Sequence, residues 1–379
     1  MLRYNIIKTG RLKKGSRQYS LMNAKVWLLL VILSILIIAA GRFPLFVENY
    51  YATGFYPIYS YGWRFLLGWI PISLGDIFYL FLIIIIIVKI IQTIRQIFKR
   101  QWTRELFVSS IKSLLFVCLV AFVVFYISWG LNYSRKGIAY QLDLDVKPYT
   151  LQELDTLTGL LQIKLNDLAS QVSMAERMEF KSKRHLFQVG DEAFQLVAVK
   201  YPFLEYEQVS LKPSIFSYAG NFLGFSGYYN PFTSEGQVNT TVPVFTRPFI
   251  TFHEIAHQVG YAKENEANFI SYLSGKEHPS VGGRYSIYFE MYRYAVYEIY
   301  KRDTSLAAVY REKLHPQVKQ DLLELRRFSE KYENVAEDYF MGIFNLFLKA
   351  NKQPAGTASY NQVVAWLEAY RKKYGNEKL

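Results

Sequence analysis

Two histidines and a glutamate in the C-terminal half of the chain have a spacing suited to metal chemistry. His253, Glu254 and His257 form the pattern His-Glu-x-x-His. At about 3.6 residues per turn, the two imidazoles lie on one face of a helix, and Glu254 points roughly 100° away from them. The imidazoles can then bind a zinc ion, with the carboxylate beside the position of a water on the metal. The sequence therefore predicts a metal-binding helix.

The residues around this pattern predict where the helix begins and ends. Phe252 and Ile255 lie on the face opposite the histidines, which predicts burial of that face against a core. Thr246 and Pro248 suit the first turn, where proline is tolerated, and Gly260 suits the position after the last turn. The helix is therefore short, and its histidines face a cleft.

A catalytic zinc ion usually binds three side chains, so a third ligand is expected. The chain after Gly260 predicts a second helix, which would form a tight hairpin with the first. Residues equidistant from the turn lie opposite one another, which places Glu264 opposite His257 and Asn268 opposite His253. We expect Glu264 to be the third ligand and Asn268 to orient the ring of His253 through a hydrogen bond.

Two assignments stay open from the sequence. Glu266 is the alternative third ligand, because helix boundaries read from a sequence are uncertain by a few residues. Both glutamates also fit a solvent-exposed helix N-terminus, where the helix dipole favours carboxylates. A donor to an oxyanion is expected downstream of the motif. The candidates for that donor are Arg284, Tyr285, Tyr288 and Arg293.

These residues carry a resemblance to known proteins. His253-Glu-Ile-Ala-His257 followed by Glu264-x-x-x-Asn268 resembles the gluzincins, zinc metallopeptidases with a glutamate as third ligand, in which an acidic residue usually occupies the position of Asn268. More closely, nearly the whole chain resembles an uncharacterised bacterial family of membrane-embedded His-Glu-x-x-His proteins. Its further marks are Lys212-Pro-Ser214, Gly227-Tyr-Tyr-Asn-Pro-Phe-Thr233, Glu266-Ala-Asn-Phe269 and Ser359-Tyr360. The resemblance implies a zinc site in a zincin-like domain and names no substrate.

Composition and three apolar runs predict a membrane protein. Apolar residues make up 51% of the chain and aromatic residues 17%. The runs cover residues 26–46, 70–91 and 106–131, and the stretch 114–131 is uncharged and long enough to cross a hydrocarbon core of roughly 30 Å. We therefore predict three transmembrane helices within residues 26–131. A cleaved signal peptide is the alternative for the first run.

The net charge of +13 is concentrated near the N-terminus. Residues 1–112 contain 15 Lys or Arg and three acidic residues, so +12 of the charge lies there. The positive residues cluster in the tail 1–25 and the loop 89–112. The positive-inside rule then places both in the cytoplasm and makes residues 132–379 an extracytoplasmic domain of a bacterial inner-membrane protein. Because that domain has little excess positive charge, we expect the lipid bilayer as a partner and no nucleic acid.

The loop 42–69 between the first two runs contains eleven aromatic residues, a density typical of contact with lipid headgroups. It is expected to form a floor or lid for the external domain or, alternatively, an ordinary connector. Asp76, near the start of the second run, is expected at the interface without a function. Cys118, the single cysteine, lies in the third run, so the external domain is expected to lack disulfides.

The external domain is predicted to be α+β and mainly helical. Capping boxes at Thr150 and Glu153 and at Ser359 and Gln362 predict helices over 150–170 and 359–373, and further helices are expected at 191–200, 285–300, 316–330 and 335–348. Glycine, proline and β-prone residues between 202 and 243 predict a small sheet, with its best strand at 237–245.

Two further expectations concern residues outside the motif. Val238–Val242 is expected either to be an edge strand that pairs with an extended substrate or to be part of a plain hairpin. His185, His278 and His315 have no partner at metal spacing and are expected at the surface.

Together these observations predict a membrane-anchored zinc metallopeptidase. Zinc on His253, His257 and Glu264 would activate a water, and Glu254 would take its proton and pass it to the leaving amine. The expected substrate is a peptide bond in an envelope, membrane or secreted polypeptide. The alternative is a non-catalytic envelope sensor or assembly factor that keeps zinc for structure. A transporter is disfavoured, because the sequence has no internal repeat.

Overall fold

The computed structural model describes residues 24–379. The helices are α1 (Ala24–Ala40), α2 (Pro44–Leu67, with a π-helical stretch Val47–Phe55), α3 (Leu74–Phe98), α4 (Arg104–Ser128), α5 (Ile138–Gln141), α6 (Leu151–Gln171), α7 (Met174–Glu179), α8 (Lys183–Lys200), α9 (Ser217–Leu223), α10 (Arg247–Gln258), α11 (Glu264–Gly275), α12 (Val281–Arg302), α13 (Thr304–Glu312), α14 (Pro316–Tyr332), α15 (Val335–Ala350) and α16 (Val363–Tyr374). The strands are β1 (Leu211–Pro213), β2 (Gly227–Asn230) and β3 (Glu235–Val238). Most of the predicted basic tail 1–25 lies outside the described residues.

Two of the described helices, α3 and α4, are long and apolar enough to cross a membrane. Each has 25 residues, or about 37 Å of helix, against a hydrocarbon core of roughly 30 Å. Helix α1 is shorter, and the chain bends by 99° between α1 and α2. If this bent pair forms one span, the described part of the chain has three. The described residues thus contain two to three candidate spans, where the sequence predicts three.

The sheet corrects the predicted strand and substrate-binding edge. Strand β3 is central: it pairs with β1 in parallel, Lys212 opposite Gln237, and with β2 antiparallel, Tyr228 opposite Gln237. The strand ends at Val238, not at residue 245, because the Asn239 side chain forms a turn: its Oδ1 accepts from the Thr241 amide, and its Nδ2 donates to the Ser217 carbonyl. Val238–Val242 is therefore not an edge strand, since β3 is paired on both sides and residues 239–242 lie outside the sheet.

The helix predictions held where a local signal was strong. The capping box of Thr150 and Glu153 is present, and α6 follows it. The helix expected from residue 191 begins earlier, at Lys183, after an N-cap by Ser182. The predicted capping box at Ser359 is wrong: residues 356–362 form a 3-10 helix, and the Ser359 hydroxyl donates to Gln353.

The region after α4 packs around α10, which carries the histidine motif. Phe252 and Ile255 are fully buried, as the apolar face of the motif predicts. Helices α8, α11 and α12 and the strands β2 and β3 all contact α10, so the motif helix is enclosed on every side. A buried helix of this kind holds its side chains rigidly, because close packing leaves them little freedom to change rotamer.

Candidate metal centre

The two helices of the metal centre form the hairpin expected from the sequence. Helix α10 ends at Gln258, and Gly260 adopts a left-handed conformation with φ of 95°, which favours glycine. The amide of Tyr261 donates to the Ala256 carbonyl and closes the turn. Helix α11 then begins at Glu264 and returns along α10.

This hairpin brings together His253, His257 and Glu264 as a buried group that could hold a metal ion. The Glu264 Oε2 atom lies 3.1 Å from His253 Nε2 and 3.6 Å from His257 Nε2. Two ligands at about 2.1 Å from one tetrahedral ion lie about 3.4 Å apart. The separations therefore fit one ion shared by the three side chains.

The other ring nitrogens show which way the imidazoles are protonated. His257 Nδ1 lies 2.7 Å from the Tyr261 carbonyl, which only accepts hydrogen bonds, and His253 Nδ1 lies 2.8 Å from Asn268 Oδ1. Each Nδ1 thus donates, and each Nε2 of a neutral ring carries a lone pair directed toward the Glu264 carboxylate. Lone pairs and a carboxylate repel one another unless a proton or cation lies between them. The donor set therefore fits a cation.

The electrostatics of the three ligands agree with that need for positive charge. Burial would raise the pKa of Glu264, but its contacts with the His253 and His257 rings hold it below its ordinary value. Burial would lower the pKa of His257, but the Glu264 carboxylate raises it above its ordinary value. For His253 burial prevails, and its pKa is lowered. The Glu264 carboxylate thus favours positive charge on the neighbouring His257 ring.

Glu254 lies beside this group and is not one of the ligands. Its side chain is buried, and its Oε2 atom has no hydrogen-bond partner among residues 24–379. Burial is the main reason that the pKa of Glu254 rises to about 8. Gly227 of β2 passes directly over it, since a Cβ there would lie 2.4 Å from Glu254 Oε1. The sheet therefore approaches the carboxylate through a residue without a side chain.

The walls of the centre include residues for which no role is predicted from the sequence. The Tyr360 ring stacks on His253 with centroids 6.3 Å apart, and the Trp129 ring meets the His257 ring edge-on at 5.9 Å. Burial, followed by the Glu264 carboxylate, raises the pKa of Tyr360 well above its ordinary value. Gln353 accepts a hydrogen bond from the Glu264 amide. The Ser359-Tyr360 pair among the family marks was the one sequence signal for Tyr360.

The alternative assignments lie away from the centre. Glu266 forms an ion pair with Lys263 and lies against Gly137, where an added Cβ would clash with the Glu266 carboxylate.

Three of the four suggested oxyanion donors are engaged elsewhere. Tyr285 donates to Asp321, Tyr288 to the Leu379 carbonyl, and Arg293 to Glu290.

His278 is buried, which corrects its expected surface position; it lies near Glu192.

Comparison with known proteins identifies the family. A family model described as protein of unknown function (DUF3810) matches residues 51–368, most of the chain. The chain belongs to the DUF3810 family. No curated protein and no solved structure matches it. The prediction of an uncharacterised family is thus confirmed. The DUF3810 match includes both 25-residue helices and every residue of the metal centre.

The DUF3810 match also includes most of α2, which supports the C-terminal end of α10. Tyr56, Ser60 and Arg64 all donate to the Gln258 carbonyl, at 3.0, 3.2 and 3.1 Å. These donors satisfy a backbone oxygen that the end of a helix leaves without a partner. The predicted loop 42–69 is thus largely helical, and it contacts the C-terminal end of the motif helix.

The start of α3 is fastened to the sheet by two buried carboxylates, and Asp76 is one of them. Asp76 accepts hydrogen bonds from the Ser214 hydroxyl at 3.1 Å and from Tyr228. Glu235 of β3 accepts from the Gly75 amide at 2.7 Å. Asp76 was expected at the interface without a function; it is fully buried and holds the start of α3 against the segment that carries Ser214 and Tyr228.

Proposed function

We propose that this protein is a membrane-anchored, zinc-dependent metallopeptidase. The observation that carries this proposal is the buried group of His253, His257 and Glu264 with the partner-free carboxylate of Glu254 beside it. Two imidazoles and one carboxylate are a ligand set typical of catalytic zinc, which takes three side chains and keeps one position open. A zinc ion held there would supply Lewis acidity to water and to a scissile carbonyl.

Each residue of the centre has a separate task in this proposal. His253, His257 and Glu264 bind the metal, and Asn268 and the Tyr261 carbonyl fix the orientation of the two rings. Glu254 accepts the proton of the attacking water and passes it to the leaving amine. Burial raises the pKa of Glu254 above its ordinary value in the metal-free protein, and the positive charge of a bound zinc ion would lower it, so that the carboxylate is ionised to take the proton near neutral pH.

In this proposal, Tyr360 and β2 bind the peptide. The Tyr360 hydroxyl, which lies near Glu264, donates a hydrogen bond to the oxygen of the scissile carbonyl as negative charge develops there. Strand β2 is an edge of the sheet, and its Gly227 touches Glu254. Its free edge offers backbone groups to an extended peptide, in place of Val238–Val242.

The charge distribution supports a location in the bacterial inner membrane. The segment between α3 and α4 is basic, and the opposite ends of both helices contact the region that carries the metal centre. By the positive-inside rule, the basic segment lies in the cytoplasm and the metal centre lies outside the inner membrane. The substrates are then envelope, membrane or secreted polypeptides.

A non-catalytic zinc protein is the second candidate, because the centre is enclosed. His253, His257, Glu264 and Glu254 are all buried, as the ligands of a structural site would be. An envelope sensor or assembly factor would need the metal and would not need the Glu254 carboxylate.

Metal analysis and a peptide-cleavage screen test the proposal together. The purified protein should contain one zinc per chain, His257→Ala should lose it, and His185→Ala, on the half-exposed side of α8, should keep it. Glu254→Gln should keep the zinc and lose cleavage of a mixed peptide library. Cleavage retained in Glu254→Gln would leave the structural candidate, and a protein without metal would overturn both.

A further inference from the structure

Helix α15 carries an apolar stripe that nothing in the described part of the chain covers. Val335, Tyr339, Ile343 and Leu346 are exposed by 70%, 73%, 69% and 66% of their surface. Their spacing of four, four and three residues places them on one face of the helix. Asp338 and Lys349 lie along one flank of this face, so the helix is amphipathic.

The neighbouring helix α14 shows that this stripe is unusual for the external region. Leu323 is exposed by 45% of its surface, but it stands beside Glu324, Arg326 and Arg327. A single exposed leucine among charges is ordinary on a water-facing helix. Four large apolar side chains in one row mark a surface that contacts an apolar phase or partner.

The C-terminal end of α15 is fastened to the ends of two apolar helices. The ring of Phe347 meets that of Phe125 in α4, with centroids 6.0 Å apart. Tyr126 donates to Asn351 at 2.9 Å, and Lys352 donates to the Gly41 carbonyl just after α1. This end of α15 therefore lies at the level where α1 and α4 end.

The middle of α15 is connected to the start of α3 through a row of aromatic rings. Phe340 contacts Phe225 at 5.7 Å, Phe225 contacts Tyr228 at 5.7 Å, and Tyr228 contacts Tyr79 of α3 at 6.2 Å. Helix α15 has 16 residues, or about 24 Å of length. Helix α15 therefore lies between the C-terminal end of α4 and the N-terminal end of α3.

We propose that α15 lies in the headgroup–acyl boundary of the bilayer that α3 and α4 cross, with its apolar stripe in the lipid. An amphipathic helix in this layer buries its apolar face below the headgroups and keeps its charged flank in water. Continuity with the apolar helices favours lipid over any other occupant, because the stripe begins where their lipid-facing surface ends. Helix α2, which contacts the end of α4 through the bond from Tyr51 to the Ile127 carbonyl, also has exposed Ile58 and Phe65.

This placement brings the membrane surface to the metal centre. The segment after α15 carries Gln353, which binds the Glu264 amide, and Tyr360, which stacks on His253. A helix held in lipid thus holds the segment that covers the metal ligands. The inference depends on the position of α15 alone and stands whether or not the centre is catalytic.

Spin-label accessibility in the full-length protein tests the proposal. Cys118 is replaced by serine, a single cysteine is introduced by Ile343→Cys or Tyr339→Cys, and the labelled protein is reconstituted into vesicles of phosphatidylethanolamine and phosphatidylglycerol. Leu323→Cys on α14 is the matched water-facing control, and a label on native Cys118 in α4 is the lipid reference. The measured quantity is the ratio of the label's collision rate with oxygen to its collision rate with a water-soluble nickel chelate. We expect this ratio to be at least several-fold higher at residues 339 and 343 than at residue 323.

Three results would overturn the lipid assignment. Ratios at 339 and 343 equal to that at 323 would place the stripe in water. Exclusion of both oxygen and nickel would show a protein cover, and dipolar broadening between labels would identify that cover as a second copy of the chain. A matching thermal midpoint for all labelled variants shows that each is folded, and both stripe positions are exposed, so cysteine is tolerated there.

Discussion

Two buried carboxylates beside β3 have opposite surroundings. Glu254 has no hydrogen-bond partner for Oε2 within residues 24–379, although it touches the strand at Gly236. Glu235, the residue before Gly236 in β3, accepts hydrogen bonds from five groups. These donors are Ser73 Oγ, Leu74 N, Gly75 N, Thr233 Oγ1 and Gln237 Nε2.

The difference separates a carboxylate that anchors two elements from one whose pKa is perturbed. A buried carboxylate with many donors fixes two parts of a structure together, and Glu235 joins the start of α3 to the sheet. A buried carboxylate without donors is costly to keep ionised, so its pKa rises, and that of Glu254 reaches about 8. Such perturbed groups cluster at functional sites. The structure thus places the anchoring carboxylate on β3 and the perturbed carboxylate on α10, which packs against that strand.

The largest expected effects come from changing each carboxylate to its amide. Glu254→Gln should lower peptide cleavage by about 10²–10⁴-fold, because the proton acceptor is lost, while the thermal midpoint stays close to that of the wild type. Glu235→Gln should destabilise the protein by about 2–4 kcal/mol, because charged hydrogen bonds are lost and an amide N–H₂ faces donors. For a domain of this size that shift is roughly 4–16 °C. Cleavage assays and thermal unfolding in detergent measure the two effects.

The two variants control for one another, since both replace one buried carboxylate by one amide. The comparison would fail if Glu254→Gln unfolded as readily as Glu235→Gln, because Glu254 would then be structural. Equal loss of cleavage in both variants at a temperature where both are folded would also contradict it. In that case peptide cleavage would also depend on the contact between α3 and the sheet.

A smaller effect is expected at Asn268, which orients one metal ligand. Asn268→Ala removes the oxygen 2.8 Å from His253 Nδ1 and should weaken zinc affinity by about 10–100-fold. Asn268→Asp supplies the same oxygen with a negative charge and should bind zinc at least as tightly as the wild type. Competition with a zinc-binding dye measures both. An unchanged affinity in Asn268→Ala would show that packing alone holds the ring.

The metal centre could be predicted from the sequence because its parts are local. His253, His257, Glu264 and Asn268 lie within 16 residues, and two periodic helices joined at a glycine fix their relative positions. Helical periodicity is a strong signal over such a distance. The structure places Glu264 with the histidines and Glu266 elsewhere. Pairing residues that are equidistant from Gly260 also favours Glu264 over Glu266 as the third ligand.

The rest of the site depends on contacts that no local pattern encodes. Glu235 meets Ser73 across 162 positions of sequence, and Tyr360 reaches His253 from a segment after α15. The predicted strand over 237–245 failed for a related reason. Its β-prone residues continue past Val238, but the side chain of Asn239 binds a distant backbone and ends the strand. Tertiary contacts override propensity at such positions.

The smallest expected effect is a pH dependence of stability in the metal-free protein. The Glu254 carboxyl keeps its proton up to pH about 8 when folded, whereas its ordinary pKa is 4.5. Between these values the folded state binds more protons than the unfolded state, so this group's contribution to stability falls as pH rises. From pH 6 to pH 7 it should remove about 1 kcal/mol from the free energy of unfolding.

Glu254→Gln isolates this contribution, because the amide does not titrate while the other groups stay in place. Denaturant unfolding of the chelator-treated wild type and variant at pH 6 and pH 7 should show a steeper loss in the wild type, by about 1 kcal/mol. Zinc should abolish the difference if its charge favours the ionised carboxylate. Parallel losses in the two metal-free proteins would mean that Glu254 ionises as easily when folded as when unfolded. Glu254 would then have donors of its own, and its contrast with Glu235 would disappear.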